Sequence, residues 1–119
     1  MKNSITLLGR IPSKKNSKDF FYRGGRPILL PNKRYKEWHE EQSWALKAYK
    51  NVRTTGKVLA EFWMPDNRKT DLSNKWESVG DLLVDCGILE DDSWQIIPEI
   101  QLISRGVDKL KPRVVITFL

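Results

Sequence analysis

Cysteine and histidine are almost absent from the sequence, which excludes several kinds of site. Among 119 residues there is one cysteine, Cys86, and one histidine, His39. A single cysteine rules out an intrachain disulfide and a cysteine-rich zinc site. We expect His39 to lie on the surface of a helix, which leaves no histidine for a catalytic triad or for most transition-metal sites.

Long hydrophobic runs are missing as well. No stretch approaches the roughly 18 consecutive apolar residues that a membrane-spanning helix needs. Residues 1–12 contain no long apolar segment of the kind found in signal peptides. We therefore expect a soluble protein of the cytoplasm. The length predicts one domain, residues 1–119, with a single modest core.

Positively charged residues are in excess. Lysine and arginine total 21 and acidic residues total 15, which gives a net charge of +6. Such a balance favours a polyanionic partner, either nucleic acid or an acidic membrane surface, because binding releases counterions and the positive field attracts the partner from a distance.

The spacing of apolar residues predicts a small α+β domain. Apolar residues from 72 to 86 recur at steps of four, three, four and three, which places them on one face of a helix. Asp71 precedes this helix in a favoured N-cap position, and Gly87 follows it in the position of a C-cap glycine. A first helix is expected at residues 33–50, and strands at residues 4–9, 20–22, 27–30, 57–64, 94–104 and 113–119, with a basic loop containing Arg105 before the last strand. This order predicts two main helices packed on a mixed β-sheet.

Carboxylates cluster around the second helix. Asp71 begins it, and Asp91 and Asp92 lie in the short loop that follows it. Mg²⁺ takes oxygen ligands and is commonly held by one or two carboxylates, with substrate phosphate and water completing its shell. Such a metal polarises a scissile phosphate and lowers the pKa of bound water. Because no histidine, cysteine or serine triad is available, metal-assisted hydrolysis is the chemistry that these residues support best.

Each of these residues also has a structural explanation. Asp71 alone is typical of an N-cap, and a pair such as Asp91 and Asp92 is typical of a solvated turn. The basic residues elsewhere could serve only solubility. No one of these features identifies an enzyme.

Several short motifs nevertheless occur in a characteristic order along the chain. They are Pro12-Ser13-Lys14-Lys15-Asn16-Ser17, then Met64-Pro65-Asp66 with the basic run after it, Asp71-Leu72-Ser73-Asn74, Asp81-Leu82-Leu83 and Gly87-Ile88-Leu89-Glu90-Asp91-Asp92. This series resembles the RusA-like Holliday junction resolvases over most of the chain. The block from Asp71 to Asp92 is the specific part of the pattern, and the N-terminal segment is the weaker part.

The resemblance implies a RusA-like fold and a homodimeric, Mg²⁺-dependent enzyme that makes paired nicks across a four-way DNA junction. Such enzymes are often encoded by phages or prophages; branched DNA is the partner, with no membrane involved, and Mn²⁺ suits the same oxygen ligands. Asp71 matches the first aspartate of the family's catalytic motif. Asp91 and Asp92 match its terminal pair, with Asp92 at the more important position, and Asn74 matches its asparagine.

Two positions depart from the family's pattern. Ser73 stands where the family has a second aspartate, and Glu77 stands where it has a lysine, while Lys75 lies two residues earlier. Lys75 is therefore the candidate catalytic lysine. The hydroxyl of Ser73 could hold a metal-bound water, and Glu77, Asn74 or Asp81 could replace the missing contact.

The length of the second helix predicts a site shared between two chains. Residues 72–86 as one helix span roughly 22 Å, so Asp71 and the Asp91–Asp92 pair begin at opposite ends. Ligands of one Mg²⁺ must place oxygens within about 2.1 Å of it, and six loop residues could cover the distance only if nearly extended. Antiparallel packing of two copies would instead bring one chain's Asp71 to the other chain's pair. A two-fold dimer also has two sites for two symmetric strands.

Phosphate contacts are expected from basic residues in the loops and the hairpin. Those next to Asp71 and in the N-terminal loop would hold the DNA backbone beside the metal. Each neutralised phosphate should steepen the salt dependence of binding by about 0.9 in log–log slope. The expected DNA-binding residues are Lys14, Lys15, Asn16, Lys18, Arg23, Arg26, Arg68, Lys69 and Asn74.

Three other functions fit parts of the sequence. A non-catalytic nucleic-acid-binding module explains the charge but leaves Asp71 and the Asp91–Asp92 pair unexplained. A protein-interaction subunit would use the five tryptophans as an interface and would show no salt-sensitive affinity for DNA. A nuclease that prefers flaps, forks or ordinary duplex would use the same residues as a junction resolvase.

Overall fold

The computed structural model describes residues 3–12, 18–23, 26–31, 33–49 and 56–119, with side chains described for residues 4–12, 33–49 and 56–119. Within these residues the strands are β1 (Asn3–Leu8), β2 (Lys18–Arg23), β3 (Arg26–Pro31), β4 (Val58–Met64), β5 (Ile100–Val107) and β6 (Arg113–Phe118). The helices are α1 (Lys33–Leu46), which continues into a 3₁₀ turn at Lys47–Tyr49, and α2 (Leu72–Asp85).

Four strands form a mixed sheet in the order β1-β6-β4-β5. β6 pairs antiparallel with both β1 and β4, while β4 and β5 are parallel and are connected through α2. β2 and β3 form a separate antiparallel hairpin. The expected α+β arrangement of two helices and a mixed sheet is thus confirmed. Because β1 and β4 are both antiparallel to β6, they end on the same side of the sheet, at Leu8 and Met64; we call this side the Met64 end.

The core lies between the sheet and α2. Alternate residues of β4 and β6 are buried, as the two-residue period of a strand requires. Val79, Leu82 and Leu83 of α2 are completely buried against them, and Trp38 and Leu46 bring α1 into the same apolar cluster. In the part of the chain that the structure describes, neither helix has the length and apolar character needed to cross a membrane.

A glycine terminates helix α2, as the sequence predicts. Gly87 adopts a left-handed conformation with φ of 75°, which costs glycine little because it has no Cβ. The N–H of Gly87 donates to the carbonyl of Val84 at 3.0 Å, and the N–H of Ile88 donates to that of Leu83 at 2.9 Å. This is the Schellman arrangement, and it turns the chain so that Ile88 and Leu89 are buried before the acidic loop begins.

The predicted start of the fifth strand is wrong. The N–H groups of Ile96 and Ile97 both donate to the carbonyl of Ser93, at 3.1 and 2.9 Å, and therefore form a turn. Pro98 follows and has no N–H to donate to a neighbouring strand. β5 consequently begins at Ile100 and continues past Arg105, which lies in the strand rather than in a loop. The predicted first helix is also shorter in its α-helical part, which ends at Leu46.

Side chains from both helices hold the segment that leaves β1, residues 8–12, which we call the anchored segment. From α1, the side-chain amide of Gln42 donates to the carbonyl of Leu8 at 3.1 Å. From α2, Lys75 Nζ donates to the carbonyl of Ile11, and Ser78 Oγ donates to that of Pro12 at 2.6 Å. Gln42 and Ser78 are buried polar residues, and buried polar groups are retained where they satisfy such partners.

We expect Ser78→Ala to destabilise the fold. Ser78 is fully buried and Pro12 is buried too, so the substitution leaves a carbonyl without its donor, at a cost of about 1–3 kcal/mol. The measurement is the free energy of unfolding in urea. Ser73→Ala, an exposed position in the first turn of the same helix, should stay within about 0.5 kcal/mol of the parent; equal effects of the two substitutions would contradict the assignment.

Candidate functional site

Asp71 occupies the N-cap position of α2, but its carboxylate does not cap the helix. Its backbone is extended, with φ of −90° and ψ of 130°, and the side chain makes no capping hydrogen bond. The amide of Asn74 donates to Asp71 Oδ2 across 3.4 Å, which is long for such a bond. The purely structural explanation of Asp71 therefore accounts for its position and not for its carboxylate, which is exposed to solvent.

Asp91 and Asp92 are exposed in the loop after α2. Within the described residues neither carboxylate has a hydrogen bond or an ion pair, and Asp71 has no ion pair either. Other carboxylates of the chain do pair with a basic side chain. Those are Glu37, Glu61, Asp66, Asp85, Glu99 and Asp108. No ion pair within the described part of the chain therefore explains the three predicted metal ligands.

The fold places Asp71 and the Asp91–Asp92 pair at opposite ends of α2. The helix has 14 residues and is about 21 Å long. Asp71 follows the carboxyl end of β4, whereas the pair lies before the amino end of β5, which is parallel to β4. Among the described residues, no three acidic, histidine or cysteine side chains are grouped so that they could hold a metal ion. One chain alone therefore does not assemble the predicted set of ligands.

The Met64 end of the sheet carries a polar cluster centred on Asp66. Its carboxylate makes an ion pair with Arg10, which follows β1, and accepts a hydrogen bond from the backbone N–H of Arg68 at 3.0 Å. The guanidinium of Arg68 lies 3.6 Å from the same carboxylate. The Arg68 N–H and then the Arg10 side chain hold the pKa of Asp66 below its ordinary value, because both stabilise the charged form.

Lys75, the candidate catalytic lysine, lies one helical turn after Asp71 and is half-buried. Its Nζ donates to the carbonyl of Ile11. Burial lowers the pKa of Lys75, and the positive charge of Arg10 lowers it further, while Asp66 partly offsets the shift. Lys75 thus lies in a region of positive charge and links α2 to the anchored segment.

An open pocket of about 410 Å³ lies beside this cluster, where α1 approaches the Met64 end. The described residues that line it are Arg10, Pro12, Arg34, Trp38 and Arg68. We call it the arginine pocket. A narrow cavity of about 30 Å³ lies nearby, and its lining includes Arg10, Asp66, Arg68, Thr70 and Lys75.

Among the described residues that line the arginine pocket, only Arg68 belongs to the DNA-binding residues expected from the sequence. Arg10, Arg34 and Trp38 were missed because they come from different elements and form no local motif. One signal for Arg34 was present: it lies in the first turn of α1, which has no acidic residue. A positive charge is unfavourable at the positive end of a helix dipole unless an anion binds there.

The remaining predicted site residues are only partly placed. Lys69 is exposed in the loop before Asp71, and Ser73 and Glu77 are exposed on α2. Lys18, Arg23 and Arg26 belong to the β2–β3 hairpin, where Arg23 and Arg26 are opposite each other, but their side chains lie outside the described set. Lys14, Lys15 and Asn16 lie outside the described residues altogether.

His39 has a larger structural role than the surface position expected for it. Its Nε2 lies 2.9 Å from Asp85 Oδ2, which connects α1 to α2. Ser43 Oγ lies 3.5 Å from the other ring nitrogen, but it donates to the backbone carbonyl of His39 at 2.6 Å and accepts from Cys86 Sγ at 3.4 Å. The hydroxyl proton is therefore committed to the backbone, and the row Ser43, His39 and Asp85 joins the helices rather than forming a nucleophilic triad.

Comparison with known proteins adds no relatives. No protein-family model matches the chain, and no curated protein matches it. The similarity to the RusA-like resolvases rests on the sequence motifs, and it stays a hypothesis.

We expect the stabilising effect of Asp66 to disappear in acid. Its folded pKa lies below the ordinary value of 3.8, so its stabilisation is fully present above that value and is lost as the pH falls through the lowered pKa. Asp66→Asn should therefore reduce the urea midpoint relative to the parent chain at pH 7. The difference should shrink below the ordinary pKa. A difference that stays constant from pH 7 to pH 2 would show that the carboxylate charge is not responsible.

Proposed function

We propose that this chain is a metal-dependent endodeoxyribonuclease that acts as a homodimer on branched DNA, in the manner of the RusA-like Holliday junction resolvases. The observation that carries the proposal is the carboxylate of Asp71. It stands at a helix start without capping the helix, it has no ion pair among the described residues, and it follows directly on a cluster of basic side chains. The order of motifs around it supports the same conclusion.

The donor set suits Mg²⁺ or Mn²⁺. Asp71, Asp91 and Asp92 present exposed carboxylate oxygens, which hard divalent cations prefer, and one or two such ligands suffice where substrate phosphate and water complete the shell. The chemistry that such a cation supplies is neutralisation of charge on the phosphate and activation of water for attack. The residues that would hold it are Asp71 of one chain with Asp91 and Asp92 of the other.

The basic residues beside Asp71 would position the DNA backbone. Arg10, Arg68 and Lys75 line the narrow cavity together with Thr70, the residue before Asp71. Arginine binds phosphate oxygens through paired N–H groups, and the ammonium of Lys75 has three N–H donors, of which the Ile11 carbonyl takes one. A phosphodiester drawn to these groups would be held next to the carboxylate of Asp71.

The separation of the carboxylates supports the proposal of a homodimer. Because Asp71 and the Asp91–Asp92 pair flank a helix of 14 residues, two antiparallel copies of α2 would bring the two halves of the ligand set together twice. The two resulting sites would be related by a two-fold axis, as are the two strands that a junction resolvase cuts.

A non-catalytic DNA-binding module is the second candidate function. The arginine pocket favours it, since phosphate binding alone would explain the arginines, and so does the lack of a grouped metal-ligand set among the described residues of one chain. A nuclease for flaps or forks would use the same residues as the resolvase, so substrate choice is decided by the experiment below.

The first test is cleavage of a labelled four-way junction with Mg²⁺, compared with linear duplex. We expect paired nicks on the junction only. Losing an outer partner of a metal ligand costs about 10- to 100-fold, so Asp71→Asn, which alters a ligand itself, should slow cleavage by at least about 100-fold. Glu90→Gln removes a neighbouring exposed charge outside the proposed ligand set and should leave cleavage intact. Junction binding without cleavage by the parent chain would favour the binding module instead.

Mixing two inactive variants tests the shared site. A heterodimer of Asp71→Asn and Asp92→Asn chains would contain one site with both lesions and one site with neither. We expect the mixture to recover single nicks on the junction, while each variant alone gives none. If each site lay within one chain, both sites of the heterodimer would be damaged and no nicks would return.

A further inference from the structure

The arginine pocket gathers positive charge from three separate elements. Arg10 follows β1, Arg34 lies in the first turn of α1, and Arg68 lies in the loop between β4 and α2. The described lining contains no acidic residue. Arg10 and Arg68 share one carboxylate, that of Asp66, and Arg34 has no ion-pair partner among the described residues. The positive charge around this pocket therefore exceeds the negative charge that balances it.

Three further features point to an anion as the missing partner. The first turn of α1 carries basic residues and no acidic one, and the aligned peptide dipoles of a helix add partial positive charge at its start. The anchored segment fixes the backbone of Arg10, because Gln42, Lys75 and Ser78 hold the chain on both sides of it. Pre-positioned arginines lose less conformational freedom on binding than free ones.

The pocket is too large for an inorganic anion alone. Its volume of about 410 Å³ lies within the roughly 300–1,000 Å³ typical of small-molecule sites. Pro12 and Trp38 supply the apolar part of its lining. The indole of Trp38 thus contributes to the pocket wall, although its Nε1 is itself buried and has no hydrogen-bond acceptor within the described part of the chain.

We infer that the arginine pocket binds one nucleotide unit of a DNA strand, with the three arginines around its phosphate and the Pro12–Trp38 wall against its apolar part. The inference rests on the proposed function, because that function supplies the DNA strand to which the nucleotide belongs, and it deepens that proposal. It assigns a strand-holding site beside Asp71 that uses none of the proposed metal ligands. Arg34, which no sequence motif contains, becomes a binding residue beside Arg10 and Arg68.

The test uses three small probes and one strand. Thymidine 5′-monophosphate, thymidine, inorganic phosphate and an oligothymidine without terminal phosphates are titrated into the full chain, and the indole N–H signal of Trp38 is followed by NMR. We expect the monophosphate and the oligothymidine to shift this signal and thymidine to leave it unchanged. Inorganic phosphate should bind more weakly than the monophosphate, because it leaves the apolar wall uncovered.

Arg34→Gln is the decisive variant because, among the described residues, it removes no hydrogen bond and no ion pair. It should weaken binding of the monophosphate about tenfold, equivalent to about 1.4 kcal/mol. The matched control is Arg105→Gln, which removes the same charge from β5, where Arg105 pairs with Glu61 at 2.8 Å; an exposed pair contributes little, so binding should be unchanged. Equal weakening by both variants would reduce the effect to net charge and overturn the inference.

The remaining outcomes separate this inference from the proposed function. If the monophosphate binds and the oligothymidine does not, the inference that the nucleotide belongs to a DNA strand is wrong. If inorganic phosphate binds as tightly as the monophosphate, the pocket is a site for a simple anion and the inference is likewise wrong. Asp71→Asn should bind the monophosphate as tightly as the parent chain does, as measured by the Trp38 signal, even if this substitution abolishes cleavage. If the parent chain cleaves no substrate but Arg34→Gln weakens binding of the monophosphate, the pocket inference holds and the nuclease proposal is wrong. If the parent chain cleaves the junction but Arg34→Gln binds the monophosphate as the parent does, the nuclease proposal holds and the pocket inference is wrong.

Discussion

The anchored segment, residues 8–12, has backbone carbonyl groups that need hydrogen-bond donors, and side chains of both helices supply them. Leu8, Ile11 and Pro12 receive theirs from side chains of α1 and α2. One segment thus ties the edge of the sheet to both helices. Because buried carbonyls are costly to leave unpaired, these bonds also fix Arg10, which lies between them, at the position where it contacts Asp66.

The Met64 end of the sheet and the far end of α2 differ in electrostatic character. At the Met64 end a single carboxylate, Asp66, holds Arg10 and Arg68, while Lys75 and Arg34 add further positive charge. At the other end the exposed Asp91 and Asp92 follow the Schellman turn of α2. Asp71 lies near these basic residues and forms no ion pair with any of the residues that the structure describes. A single chain therefore separates what a phosphodiester-cleaving site has to combine, which is the physical reason for proposing two chains.

Local rules predicted the elements well and the pockets poorly. The steps of the apolar residues and the positions of Asp71 and Gly87 gave α2 to within a residue at its C-terminus. The turn at Ser93 defeated the strand prediction because the apolar residues of 94–97 resemble a strand while their N–H groups bond back to one carbonyl. The arginine pocket escaped prediction because Arg10, Arg34 and Arg68 meet only through the tertiary fold. Whether Asp71 caps its helix could not be read from its type either, since the same residue suits a cap and a metal ligand.

The central position of β6 has a consequence for how the chain is made. β1 precedes the other described strands in the sequence, but its neighbour in the sheet is β6, the last of them. Asn3 is paired with Phe118 at one end of these two strands, and Leu8 is paired with Arg113 at the other. The β1–β6 pairing therefore closes almost the full length of the chain, and such distant pairings form late and slowly. Until β6 has been synthesised, β1 has no strand beside it and β4 lacks one of its two neighbours. The position of Arg10, two residues after β1, therefore depends on a pairing with a strand more than 100 residues later in the sequence.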